Sequence, residues 1–430
     1  MKKLLSIVLI ASALIFTGCF KDDDNPIIIE TSVTNNTTNN NNPSGQEDDC
    51  PTVVVAGGIA LNTTWTADNI YVLDRKVVVQ DGVTLTIEPG TIIKGRAGTG
   101  SLSSALIVAR GGKLNAEGTA AQPIIFTSES DNITCGQTSG TNLDVNNRGL
   151  WGGLIVLGRA SSSFGGDVTE LQIEGIPASD TFGLYGPGDD PAIDDDNSGI
   201  LRYISIRHGG SLLGEGNEIN GLTLGAVGSG TVIDNIEVVA NTDDGIEFFG
   251  GTVDASNLLV WGQGDDALDI DQAYSGTISN AVVVLNEVSD HALEIDGPEG
   301  SLDGQCTLEN LTLIGNGDVN SEYADYRSNA QVITNNVYAF GFGDSADVEL
   351  DNDGVATNYN NGDVSFSNWE IVLPTGVANV EDIFVNKADN VTVTGFGSEA
   401  TAVTEGAQTT GATTSALSWT YSNSEGGLGF

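Results

Sequence analysis

The 430-residue chain carries 59 acidic side chains against 15 basic ones, a formal net charge of −44. Nucleic acid and anionic membrane surfaces are both bound through basic patches, so neither is an expected partner. Glycine accounts for 56 residues and methionine for 1, and the apolar residues fall mostly in short Val, Ile and Leu runs, which favours many short strands with glycine turns.

The chain opens with Met1-Lys2-Lys3, an apolar run from Leu4 to Phe16, and Thr17-Gly18-Cys19. This is the layout of a secretory signal, and the run is shorter than the about 20 residues a membrane span needs. Phe16-Thr17-Gly18-Cys19 resembles a bacterial lipobox, which implies that residues 1–18 are removed and that Cys19 is acylated, with a palmitate-type chain, to anchor the protein in the outer membrane. The following Lys21-Asp22-Asp23-Asp24 is similar to an acidic tag that exports lipoproteins to the cell surface. Residues 19–49 are rich in Asn, Thr and acid and bury little apolar surface, so they read as a tether. Residues 50–430 form the body, with a cap at each end. Cys50, Cys135 and Cys306 leave room for one disulfide and one thiol, and the spacing does not choose the pair.

Short strand-like runs begin near Thr52. The stretches Asn62 to Thr66, Tyr71 to Leu73, Val83-Thr84-Leu85-Thr86-Ile87-Glu88-Pro89-Gly90-Thr91-Ile92-Ile93-Lys94-Gly95, Ala105 to Gly112 and Pro123 to Ser128 resemble the opening of pectin-lyase-like, right-handed β-helix surface proteins. The resemblance implies the fold and is silent on substrate. Polar insertions from Asn132 to Asn147 and from Ala178 to Ser198 interrupt the pattern, and loops of that length on a rigid stack are where recognition commonly sits.

From Ile233 onward a motif recurs: an apolar residue, a spacer, Asn, then a β-branched or aromatic run. Its Asn residues are Asn235, Asn257, Asn280, Asn310, Asn336 and Asn368, at steps of 22, 23, 30, 26 and 32 residues. A repeat of this period in strand-like sequence predicts an all-β solenoid, a single-stranded right-handed parallel β-helix with terminal caps. Asn tolerates a left-handed bend and bonds to its equivalent one coil away, so the six form a predicted structural ladder.

A second strand follows each of the first five ladder residues. Alternation along it sends Glu247, Asp269, Glu294, Asp325 and Glu349 outward in one acidic column, with Phe249, Asp271, Asp296, Arg327 and Asp351 beside it. Carboxylates at the roughly 4.8 Å coil spacing repel one another. Hydration, raised pKa values, Arg327 bridging Asp296 and Asp351, or bound Ca2+ would compensate, and Asp269, Asp271, Glu294 and Asp296 are the candidate metal ligands. No organic cofactor signature is present.

The turns ahead of these strands hold Asn241-Thr242-Asp243-Asp244-Gly245, Gly264-Asp265-Asp266 and Ser289-Asp290-His291. They are similar to the Asn-Thr-Asp and Asp-Asp turns of polygalacturonase-type glycosidases, which implies an acid and base pair among Asp243, Asp265 and Asp266, with His291 adjacent. The Gly-His-Gly and Arg-Ile-Lys motifs of those enzymes are missing here. The expected function is therefore a non-catalytic, calcium-dependent surface module binding a glycan, a matrix component or a partner receptor. A polysaccharide-degrading glycosidase or lyase and a passive surface spacer are the alternatives. Near the end, Leu417-Ser418-Trp419-Thr420-Tyr421 alternates like a final strand of the cap.

Overall fold

The computed structural model describes residues 32–33, 50–212, 219–317 and 321–430. The signal segment, Cys19 and the acidic tag lie outside the described residues, and of the tether only Ser32–Val33 is described, pairing antiparallel with Val53 and Val54. Among the described residues no helix is long and apolar enough to cross a membrane.

Each coil contributes three short parallel stretches. Val232–Val239 bends at Asn235 and so supplies two of them, and Ile246–Phe249 supplies the third after a turn. The next coil stacks in register: Ile233 opposite Ala255, Ile236 opposite Leu258, Ile246 opposite Leu268. The pairing is parallel from Thr52–Ile59 on Ile70–Val79 to Val364–Ile371 on Ala400–Ala402, which makes the body a right-handed parallel β-helix with three faces. Alternation explains the packing. Ile246, Leu268, Leu293, Ala324 and Val348 form one inward row, Phe248, Ile270, Ile295, Tyr326 and Leu350 another, and both lie in one continuous core. Each buried Leu, Ile or Val contributes about 1.5–3 kcal/mol.

All six repeat asparagines hold left-handed backbone, with φ between 54° and 61°. Asn280 Nδ2 donates to Asn257 Oδ1 at 2.6 Å, and Asn336 donates to Asn310. The row is not uniform, because Asn257 donates to Asp234 at 2.7 Å and Asn368 to Asn335 at 3.0 Å. One coil before Asn235 the equivalent bend is made by Tyr203 at φ 50°, which the motif did not reveal.

Cys50 and Cys135 form the disulfide, and Cys306 is a free, buried thiol. The last coils depart from expectation. Asp353–Asn361 is a helix capped by the Asn352 side chain, and it accounts for the long final step of the repeat. Leu417 to Tyr421 is not a strand: Thr414–Leu417 is a 3-10 turn and Tyr421–Gly426 a helix. This segment runs back along the outside of the stack instead of capping its end. Thr410 N bonds Glu370, Thr413 N bonds Asn280 Oδ1, Trp419 Nε1 bonds Asn235 Oδ1 at 3.2 Å, and Ser422 N bonds the buried Glu237 at 2.7 Å. Backbone donors and the Trp419 indole, met by outward side-chain acceptors on several coils, outcompete a single further strand.

Candidate functional site

The third face carries the acid. Register pairs Glu247 with Asp269, Asp269 with Glu294, Glu294 with Asp325, and Asp325 with Glu349. These five carboxylates point away from the core, yet they are only 4–8% exposed, so the column is not the hydrated surface that alternation alone suggests. The reason is flanking by rows on both sides. On one side stand the turn residues Asp244, Asp266, His291 and Glu322; on the other stand Asp271, Asp296, Arg327 and Asp351.

The turns form a ladder of their own. Asp244 Oδ1 accepts from Asp266 N at 2.9 Å, and Asp266 Oδ1 accepts from both the backbone N and Nδ1 of His291 at 2.8 Å. The Asp-Asp-Gly sequence fits here because a Cβ on Gly245 would lie 2.4 Å from Val260 Cγ1. Asp244 and Glu322 were not singled out from the sequence. Their signal was position: each sits two residues before the first apolar residue of its strand, as Asp266 and His291 do.

Three-residue clusters of potential ligand atoms emerge, in each of which the atoms lie within 4.8 Å of one another: Asp244–Glu247–Asp269, Asp243–Asp244–Asp265, Asp266–His291–Glu294 and Glu322–Asp347–Glu349. The expected quartet of Asp269, Asp271, Glu294 and Asp296 is therefore not one site. Asp269 turns to Asp244 and Glu247, while Arg327 claims two of the others: it pairs with Glu294 and, at 2.7 Å, with Asp296, and its Nη1 lies 3.8 Å from Asp325. Arg327 thus bridges Asp296 to Glu294 rather than to Asp351, because the Glu294 carboxylate projects from the adjoining row of the preceding coil. Lys387 closes the far end against Glu349.

Burial, and then mutual repulsion, pushes the carboxyls of Asp244, Glu247 and Asp269 well above the ordinary range. The same causes bring Asp271 to about 7, Asp265 to about 6 and Asp325 to about 6. Burial opposes charge on His291, but the Asp266 hydrogen bond and the surrounding carboxylates outweigh it and raise the imidazole to about 9. Within the first cluster, Asp269 Oδ1 is buried and has no hydrogen-bond partner. Asn220, which donates to Glu247, also has a buried Oδ1 without a partner.

Asp243, Asp265, Asp266 and His291 do come together at the turns. Their nearest oxygens crowd together. Asp266 is committed to His291, and the nearest ligand atoms of Asp243, Asp244 and Asp265 fall within 4.8 Å. An inverting pair stands about 6.5–9.5 Å apart to admit water.

Stacked coils with three parallel sheets, one of them lined by rows of acid, define a pectate-lyase-like solenoid. The chain belongs to the family described as pectate-lyase like beta helix domain, whose model matches residues 57–423. No curated protein matches it. Among solved structures it is similar to the full-length tailspike protein 2 of the Escherichia coli O157:H7 bacteriophage CAB120, at 10% identity and a TM-score of 0.21. The alignment covers 73% of this chain and 35% of that one, so the chain spans well under half of the tailspike's length, and a likeness this loose carries no argument.

Proposed function

We propose that the protein is a lipid-anchored, cell-surface binding module without catalytic activity, whose acidic face takes up divalent cations, Ca2+ foremost, and presents them to a glycan, a matrix component or a partner receptor. The observation that supports this best is Asp269 Oδ1, a buried carboxylate oxygen without a partner between Asp244 and Glu247. Ca2+ takes six to eight oxygen ligands, and three carboxylates with the adjacent Asn220 amide oxygen offer a hard, all-oxygen set that water completes. Among the described residues the triad, which carries up to three negative charges, has no basic side chain paired to it. Terbium luminescence and calorimetry on the full chain test the reading: Ca2+ binding is expected, with its loss in Asp269→Asn. Absence of uptake at millimolar Ca2+, or unchanged uptake in the variant, overturns it.

Glycan arrays read with Ca2+ and with chelator test the binding role, which blank arrays and blank outer-membrane pull-downs would refute. Release of reducing ends from a polysaccharide, lost in Asp265→Asn, would overturn the non-catalytic reading. The anchor is tested by Cys19→Ala, which is expected to move the protein from the membrane fraction to the soluble one.

A further inference from the structure

At the opposite end of the stack from the last acidic coils, a cavity of about 400 Å3 opens between the strand ends and the long insertion. Val78, Ala109 and Arg110 form one wall, and Arg159, Phe182 and Leu184 form the other. Phe182 and Leu184 come from the Ala178–Ser198 insertion, which the acidic face does not explain.

Arg159 is unusual in this chain. Arg110 is neutralised by Glu170 at 2.7 Å and also donates to Gly186 O. Lys76, whose strand leads into Val78, is pulled down by burial and supported by Asp180. The partly buried Arg159 has its backbone fixed, with its N–H on Asp196 and its carbonyl accepting from Ile193. Its guanidinium makes no hydrogen bond or ion pair among the described residues. Arg75 shares that lack, but Arg75 is exposed to water, which satisfies it. A guanidinium at a cavity wall with five unused donors is a carboxylate receptor in waiting, because its planar fork binds carboxylate in two parallel hydrogen bonds.

We infer that this cavity binds a small organic monocarboxylate with an apolar ring body. Arg159 takes the carboxylate, and Phe182, Leu184 and Val78 cover the ring. One negative charge is selected over several, since Glu170 already cancels Arg110 and Asp81 stands at the lining, where a second carboxylate would meet repulsion. The site is separate from the acidic face, and nothing in it requires a cation.

The test is titration of the full chain with benzoate, followed by saturation-transfer NMR and calorimetry in the presence of chelator, so that failure of the cation reading leaves it untouched. Benzamide and acetate are the comparison probes. Benzoate is expected to bind more tightly than either, and Arg159→Gln is expected to weaken it about 10- to 100-fold, the effect of losing a charge-assisted hydrogen-bonded pair. Arg159→Lys keeps the charge without the fork and should fall between the two. Arg75→Gln should bind as the unaltered chain does. If benzoate shows no binding at 10-fold excess over about 1 mM, if benzamide or acetate matches it, or if a folded Arg159→Gln or Arg159→Lys binds like the parent, the assignment is overturned.

Discussion

Replacing Asp325 by Asn separates the cost of burying charge from every other role of the acidic column. Asp325 is 5% exposed, its Oδ1 has no partner, and burial lifts its carboxyl from 3.8 to about 6. A group whose folded pKa lies above its unfolded one binds its proton more tightly when folded. Its stabilising contribution is therefore complete below about pH 4 and is lost as pH rises through about 6. From 3.8 to about 6, that loss amounts to about 3 kcal/mol at pH 8. The amide keeps the shape, has no proton to lose, and supplies donors between Glu294 and Glu349, the neighbours that register places on either side. Urea unfolding in chelator should find Asp325→Asn near parity with the parent at pH 3.5 and more stable by about 3 kcal/mol at pH 8. A gain of equal size at both pH values, or a loss at pH 8, would refute the account.

His291 offers the complementary case. Its imidazole is raised from 6.5 to about 9, so the stability it adds is present below about 6.5 and fades as pH rises through 9; His291→Gln should cost about 3 kcal/mol at pH 6 and little at pH 10 in the same unfolding assay. The Cys50–Cys135 bridge closes a separation of 85 residues, and chain entropy assigns such a loop about 4.6 kcal/mol, so the double serine variant should unfold at correspondingly lower urea. At Asn257, with φ 55°, alanine loses hydrogen bonds and strains the left-handed bend while glycine loses only the bonds. Asn257→Ala should therefore be less stable than Asn257→Gly by about 1 kcal/mol, measured by denaturant midpoint.

The coil and its register could be read from the sequence because both are local properties. Ile246, Leu268, Leu293, Ala324 and Val348 each open a strand after a turn of similar composition, and side-chain alternation then forces Glu247, Asp269, Glu294, Asp325 and Glu349 into one row. Exposure could not be read in the same way. It depends on what stands in the adjoining rows, and a periodicity that distinguishes inward from outward does not distinguish outward and open from outward and crowded. The C-terminal segment was illegible for a related reason. Trp419 meets Asn235 at a separation of 184 residues, and an alternating pattern of five residues suits a strand until distant acceptors recruit it. The cavity beside Arg159 likewise joins strand ends to an insertion some 70 residues later, and neither part identifies the other.

The distribution of cations along the acidic column singles out the Asp244–Glu247–Asp269 cluster, which spans two adjacent coils. Lys387 meets Glu349 at the C-terminal end, and Arg327 meets Glu294 and Asp296 two coils earlier. His291, charged at neutral pH, lies against Asp266 and within 3.6 Å of Glu294. Each of these coils has its own positive charge. Among the described residues the Asp244–Glu247–Asp269 cluster has no basic side chain paired with it, only the neutral Asn220 amide on Glu247, although its carboxylates, 4–8% exposed, are buried like the rest of the row. Protons answer that imbalance at low pH, as the raised pKa values indicate. Under the proposed function a divalent cation would replace those protons in this cluster, whose carboxylates neither Arg327 nor His291 pairs with among the described residues.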